Sequence, residues 1–375
     1  MKLRLNVRRT AVIAAGALGA VGLTLATVGA AVVQADDHHQ PGTVLYTMSD
    51  ASGGNAVLGF ASQPDGSFSP LGSFATGGDG SGAGLGSQGA LALAGGGRWL
   101  LAVNAGSNTV SLFRVGDEGR LRLVDAASSG GTDPISVTAS DGRVEVLNAG
   151  SSTVSALRLG DDALTPLTGP EDSASLSEGA SSPEQISFTP DGRRVIVAEK
   201  GSNTIDTFAV SGHGDLGAAV TTVSTGAGPY GFAFDNHGLP IVSDAADNAV
   251  TSYRLDRDGT LDAISDVPNG GQAAPCWLVV NGDDAYAANA HVGTISSYEI
   301  GESGHLTLLA SVAATTGGIP NLDLTVAQGT LYNLVPGANK IVAAPILGDG
   351  ALGTVTTVAS SLPPTATGLV SVLSS

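Results

Sequence analysis

The chain has little that staples or charges a protein. A single cysteine, Cys276, stands among 375 residues, so no internal disulfide is available and packing and hydrogen bonding must hold the fold. Charged residues make up only 13% of the chain, and 16 Lys and Arg face 34 Asp and Glu for a net charge of −18. No cluster of cations is present to engage phosphate backbones or anionic headgroups, which argues against nucleic acid and membrane surfaces as partners. Aromatic residues are sparse at 4%, yet 42% of the chain is hydrophobic, too much for a disordered protein. The 54 glycines follow no Gly-X-Y period, which excludes collagen. Beyond the N-terminal forty residues no helical period appears either, and a monomer with its own β-rich core is expected.

What is present begins with a leader. Lys2, Arg4, Arg8 and Arg9 precede or open onto an uncharged stretch, residues 11–35, that ends Val33-Gln34-Ala35 with small residues at the two positions a signal peptidase reads. The expected organisation is a signal peptide over 1–35, a polar tail over 36–42 and one domain over 43–375, secreted from the cell. An uncleaved leader, long enough to span a bilayer and anchor the protein to the membrane, is the alternative. The Arg pair is compatible with twin-arginine export, although Val7-Arg8-Arg9-Thr10 lacks the usual flanking residues. A chain starting at Asp36 would keep 12 Lys and Arg against 34 Asp and Glu, a net charge of −22. Its terminus, Asp36-Asp37-His38, would offer an amine, two amides and an imidazole to Cu(II) or Ni(II), the one cofactor the sequence suggests.

The domain is repetitive. Asn104-Ala105-Gly106-Ser107-Asn108-Thr109-Val110 returns as Asn148-Ala149-Gly150-Ser151-Ser152-Thr153-Val154 and as Glu199-Lys200-Gly201-Ser202-Asn203-Thr204-Ile205. Weaker copies end at Val57, Val250, Ile295 and Ile341, and the seven end points are spaced by 53, 44, 51, 45, 45 and 46 residues, the period of a four-stranded propeller blade. Asp-Gly turns recur at Asp65-Gly66, Asp141-Gly142, Asp191-Gly192, Asp258-Gly259 and Asp349-Gly350, where hairpins need positive φ. The first copy, starting near Thr43, lacks a leading strand, and the C-terminal segment Gly368-Leu369-Val370-Ser371-Val372-Leu373 can supply it. That pairing removes exposed edges, so the prediction is an all-β, seven-bladed propeller closed by the C-terminal strand.

The pattern from Pro183 to Ile205, Pro-x-x-x-x-Phe-x-Pro-Asp-Gly followed by Val-x-Val-Ala-Glu and Ser-Asn-Thr-Ile, resembles the propeller lactonase family, which includes 6-phosphogluconolactonase-like and carboxymuconate-cyclase-like enzymes. The resemblance spans essentially the whole domain. It implies a site at the channel mouth, with a His, often beside an Arg, after the Pro that opens an inner strand. The matching places here read Pro183-Glu184-Gln185 and Pro229-Tyr230-Gly231, with neither His nor Arg. Glu199 and Asp244 match positions where the family tends to carry a carboxylate. Lactone hydrolysis needs an activated water and a stabilised oxyanion, and a carboxylate supplies the first.

In an up-and-down blade the starts of inner strands and the ends of second strands reach the same face. Gln88, Asp133, Glu184, Tyr230, Cys276, Trp277 and Asn321 are therefore expected around one mouth, close to Asn104, Asn148, Glu199, Asp244, Asn289 and Asn333. The Asn and Asp side chains either cap their own loops or form a polar ligand ring. Two long segments, the Gly-rich 77–89 and the acidic, Ser-rich 171–182, are expected to connect blades at that mouth. Other constellations carry little. The Gly-rich segment leads into a strand rather than a helix and is no phosphate loop. Asp256-Arg257-Asp258-Gly259 reads as a hairpin turn rather than a calcium loop. His213, His237 and His305 sit in turns of the opposite face, His291 has no second ligand at zinc spacing, and no Gly-x-Ser-x-Gly elbow exists.

The sequence therefore suggests an exported binding module that docks a small polar ligand or a protein at the channel mouth through Asn104, Asp133, Asn148, Glu184, Tyr230, Trp277 and Asn289. The alternative is a lactone hydrolase or cycloisomerase with Glu199 or Asp244 as general base, and a third reading is a structural protein of the cell envelope.

Overall fold

The computed structural model describes residues 42–169, 172–177, 182–212 and 214–374. The leader, the Asp36-Asp37-His38 terminus, His213 and part of the acidic segment lie outside them.

Seven antiparallel sheets follow one another along the described residues, as the repeat spacing predicts. Blade 4 is representative: Pro183–Phe188, Arg194–Glu199, Thr204–Val210 and Leu216–Val223 pair in sequence order from the inside outward. Blade 1 has Thr43–Met48, Ala56–Ser62 and Phe68–Ala75 as its outer three strands, and Thr367–Leu373 takes the inner place. The register runs from Thr43 opposite Leu373 to Met48 opposite Thr367, so the tail of the domain completes the sheet that its head begins.

The sequence makes these strands because the second strand of each blade is buried on both faces. Thr43–Met48 is buried throughout, whereas the outer strand Leu121–Ser128 of blade 2 alternates in exposure. Period-two alternation sends successive side chains to opposite sides. Val44, Tyr46 and Met48 thus pack with Trp99, Leu100 and Leu112 of blade 2, while Leu45 packs with Leu334 and Ile341 of blade 7. The core is this series of inter-blade layers. Tyr46 also donates its hydroxyl across one of them, to the carbonyl of Gly119 at 2.6 Å.

Two long segments behave differently from expectation. Ser173–Ser175, within the acidic segment, is half of blade 3's outer strand; the other half is Leu164–Pro166, and both pair with Thr153–Leu159. Pro166 cannot donate to a ladder, and between the halves the Gly169 amide donates to Asp172 Oδ2 at 2.8 Å. The Gly-rich segment does not merely border the mouth. It enters the channel.

Candidate active site at the channel mouth

The inner strands of blades 3 to 6 each open with Pro and then slip register. Pro134 faces Asn148 but Ser136 faces Leu147, Pro183 faces Glu199 but Gln185 faces Ala198, and Pro275 faces Asn289 but Trp277 faces Ala288. Blade 5 shows a wider irregularity between Pro229 and Phe232. A residue left over by such a bulge is re-aimed out of the ladder. Here the leftover residues are Ile135, Glu184, Tyr230 with Gly231, and Cys276.

The channel behind them is filled by residues 85–89. The Ser87 hydroxyl donates to Ile135 O at 2.7 Å, the Gln88 amide to Glu184 O at 3.0 Å, and the Val137 amide to Gly89 O at 2.9 Å. The Gln88 side chain crosses to blade 6, accepting from the Leu278 amide and donating to its carbonyl, both at 2.9 Å. Gln185 makes the same double bond to Phe232, at 2.6 and 2.9 Å. Buried Asp50 holds the stem of the segment, accepting from the amides of Ser81 and Gly84 at 2.8 and 3.0 Å. Glycine is required there, because a Cβ on Gly80 would fall 2.3 Å from the backbone of Asp50.

Above this plug lies a cavity of about 490 Å³. Leu85, Tyr230, Trp277 and Leu322 supply much of its apolar wall, with Lys200, Cys276 and His291 among its polar members. Tyr230 meets Trp277 edge-on with ring centroids 5.2 Å apart, and Lys200 Nζ stands 4.9 Å from the centre of the Tyr230 ring. Lys200 is ion-paired with Glu184. The Lys200 side chain is 41% exposed, whereas that of Glu184 is only 8% exposed behind it.

Burial pushes the Glu184 carboxyl up to about 7, against the opposing pull of Lys200's hydrogen bond and charge and of a hydrogen bond with Tyr230. Burial likewise raises the Tyr230 phenol well above its usual range, with the Glu184 charge adding to it. The Cys276 thiol is pushed up to about 12, mainly by burial. Neither the phenol nor the thiol ionises near neutral pH, so Cys276 is no thiolate nucleophile.

Of the expected site residues, Tyr230 and Trp277 line the cavity and Glu184 stands behind its wall. Asn104, Asn148 and Asn289 do not line it. Each is fully buried and donates Nδ2 at 2.8 Å to the hydroxyl of a serine seven residues on, Ser111, Ser155 and Ser296 respectively. Asp244 follows the same plan, accepting from the Thr251 hydroxyl at 2.6 Å. These polar side chains latch second strands to third strands inside the blades and do not form a ring around the axis. Asp133 is exposed on a connection, where its amide donates to Asn108 Oδ1 at 2.7 Å. Glu199 and Asp244 have no exposed surface, so the two carboxylates expected as general base do not meet the cavity.

Lys200 and His291 are the polar residues that sequence reasoning passed over. Lys200 had a signal: the residue after the second-strand end is Ala105, Ala149, Ala245 and Ala290 in four other blades, and Lys only in blade 4. Among the described residues no group of three or more His, Cys, Asp or Glu is arranged to hold a metal ion, and no helix is long and apolar enough to cross a membrane.

Seven four-stranded blades around a plugged axis, with an acid–base pair at one mouth, define a propeller with a pocket where its inner strands begin. The chain belongs to the lactonase seven-bladed β-propeller family, whose model matches residues 37–163 and again 151–274. No protein of curated function matches the sequence. Among solved structures, the chain is similar to the periplasmic gluconolactonase PpgL of Pseudomonas aeruginosa, with 16% identity, 89% of this chain and 99% of that one covered, and a TM-score of 0.73. A candidate 6-phosphogluconolactonase of Bacteroides uniformis shares 20% identity, with 87% and 99% covered and a TM-score of 0.70. A protein from Lactobacillus plantarum shares 16%, with 88% and 99% covered and a TM-score of 0.70. Identities this low speak for the fold alone.

Proposed function

We propose that the protein hydrolyses a lactone at the channel mouth, with Glu184 as general base and Lys200 as the group that stabilises the oxyanion. The observation that carries this reading is Lys200 in the wall of the cavity, ion-paired with Glu184 directly behind it. A base is most effective when its pKa lies near the working pH, and Glu184 at about 7 meets that condition. Glu184 takes a proton from water as the oxygen adds to the lactone carbonyl carbon. The carbonyl electron pair moves onto oxygen beside the Lys200 ammonium. Collapse of the tetrahedral intermediate breaks the ring C–O bond, and Glu184 returns its proton to the leaving alkoxide, giving a hydroxy acid. Family membership supports the same chemistry.

A panel of lactones assayed by acid release tests the proposal. Glu184→Gln is expected to lower kcat/KM by about 10²-fold or more, and turnover indifferent to that change overturns the assignment. A second reading, a module that binds ligand or partner without turnover, draws support from the tight closure of the ion pair and the apolar wall. Binding without acid release from any lactone would favour it. Export is part of the proposal and rests on Arg8-Arg9 and the uncharged run after them; the N-terminus of the secreted protein, and a Cu(II) titration if that terminus is Asp36, test it.

A further inference from the structure

Apart from His291 and Cys276, the polar side chains of the cavity are engaged inside the protein. Lys200, the only Lys or Arg lining it among the described residues, is paired with Glu184. The Tyr230 hydroxyl is shared between the Gly86 carbonyl and the Glu184 carboxyl, and Trp277 Nε1 donates to the Ser87 carbonyl at 3.0 Å. A phosphate would have to compete with Glu184 for Lys200 and would enter a protein whose net charge is −18. A polyol would find few partners for its hydroxyls, and each one desolvated without a partner weakens binding.

The apolar surface, by contrast, continues outward. Val292 and Ile319 are 43% and 57% exposed and follow or precede His291 and Pro320, which line the cavity. The two loops also touch, since a Cβ placed on Gly293 would lie 3.0 Å from Ile319 Cγ2. An apolar track thus runs from the Tyr230–Trp277 corner to the rim between blades 6 and 7.

We infer that the substrate is an uncharged lactone bearing an apolar substituent, its ring beside Lys200 and its substituent on Val292 and Ile319, and not a sugar or phosphosugar lactone. The inference rests on the hydrolase reading for the identity of the reacting ring. The geometry of the wall supplies the rest.

Calorimetric titration of the whole protein with non-hydrolysable lactams tests it separately from turnover. The probes are δ-valerolactam, its 6-pentyl derivative δ-decalactam, glucono-δ-lactam and the 6-phosphate of the last. δ-Decalactam is expected to bind about tenfold or more tighter than δ-valerolactam, the low end of what the five partly buried carbons of a pentyl chain provide. The two sugar lactams should bind no better than δ-valerolactam. Ile319→Asp and Val292→Asp, both at exposed positions, should lower the decalactam-to-valerolactam affinity ratio at least fivefold. A sugar lactam that binds more tightly than δ-decalactam, a ratio indifferent to both substitutions, or no binding by any probe overturns the inference. If the lactam preference holds but no lactone is hydrolysed, the hydrolase reading falls and the ligand class stands. If lactones are hydrolysed with sugar lactones preferred, the reverse holds.

Discussion

Changing Asp244 to Asn should make the protein more stable, by a margin that grows as pH rises from 5 to 9. Asp244 ends the strand Pro240–Asp244, at the place where blades 2, 3 and 6 carry Asn104, Asn148 and Asn289. It is fully buried, and burial pushes its carboxyl up to about 8, helped by the charges of Asp266 and Asp247 and opposed by the Thr251 hydrogen bond. The folded protein therefore holds this proton more tightly than the unfolded chain does. Its stabilising effect is complete below the unfolded pKa near 3.8, drains away as pH rises through about 8, and is gone above that. A separation of that size corresponds to roughly 6 kcal/mol, and relaxation around a buried charge brings the expected loss to about 2–4 kcal/mol.

An amide carries no such cost, and three sister blades already accommodate one. Asp244→Asn should melt within about 2 °C of the parent at pH 5 and roughly 4–8 °C higher at pH 9. Calorimetric or fluorescence melts at pH 5, 7 and 9 measure the difference, from which the titrations of Glu145, Asp323 and the other buried acids cancel. A difference constant across that range, or a variant less stable than the parent at pH 9, would refute the argument.

Three further outcomes follow from the same structure. Lys200→Met removes the cation that holds Glu184 down, so the limb of kcat/KM against pH, expected near 7, should move up by roughly one pH unit or more; an unmoved limb argues against Glu184 as the base. Gln88→Ala deletes two 2.9 Å bonds to Leu278 and leaves buried backbone groups of blade 6 unpaired, which should cost about 1–3 kcal/mol in urea unfolding; no loss would mean the plug carries little of the ring's stability. Removing residues 365–375 strips blade 1 of its inner strand and uncovers Leu45 and Leu334, so cooperative unfolding should be lost; a truncated protein with an intact, sharp melt would contradict the closure.

The fold was legible in the sequence because a propeller writes its period into turn residues. The strong copies ending at Val110, Val154 and Ile205, the weaker ones ending at Val57, Val250, Ile295 and Ile341, and the spare strand ending at Leu373 sufficed for blade number and closure. The site was legible only in part. Tyr230 and Trp277 lie one and two residues after prolines that start inner strands, beside the bulges that re-aim Tyr230 and Cys276. Asn104, Asn148 and Asn289 could as easily have faced the axis as their own blade, since position along a strand does not fix which neighbour a terminal side chain prefers. The serines seven residues downstream held the answer. The plug was invisible for a different reason: Gln88 bonds to Leu278, 190 positions away, and no local pattern announces such a partner. The broken outer strand of blade 3 depended on the bond between Gly169 and Asp172, which periodicity does not register.

The way blade 1 is completed also places the limits of the domain side by side. The Gly42 amide donates to Ser374 Oγ at 2.9 Å and the Ser374 amide donates back to the Gly42 carbonyl at 2.8 Å. A short linker could join these two points, and new termini could be cut into an exposed hairpin elsewhere, such as that at Gly282. The seam would then migrate to blade 6 while every sheet kept its four strands. Circular permutants of this kind would separate what the ring needs as an object from what the order of its synthesis happens to impose.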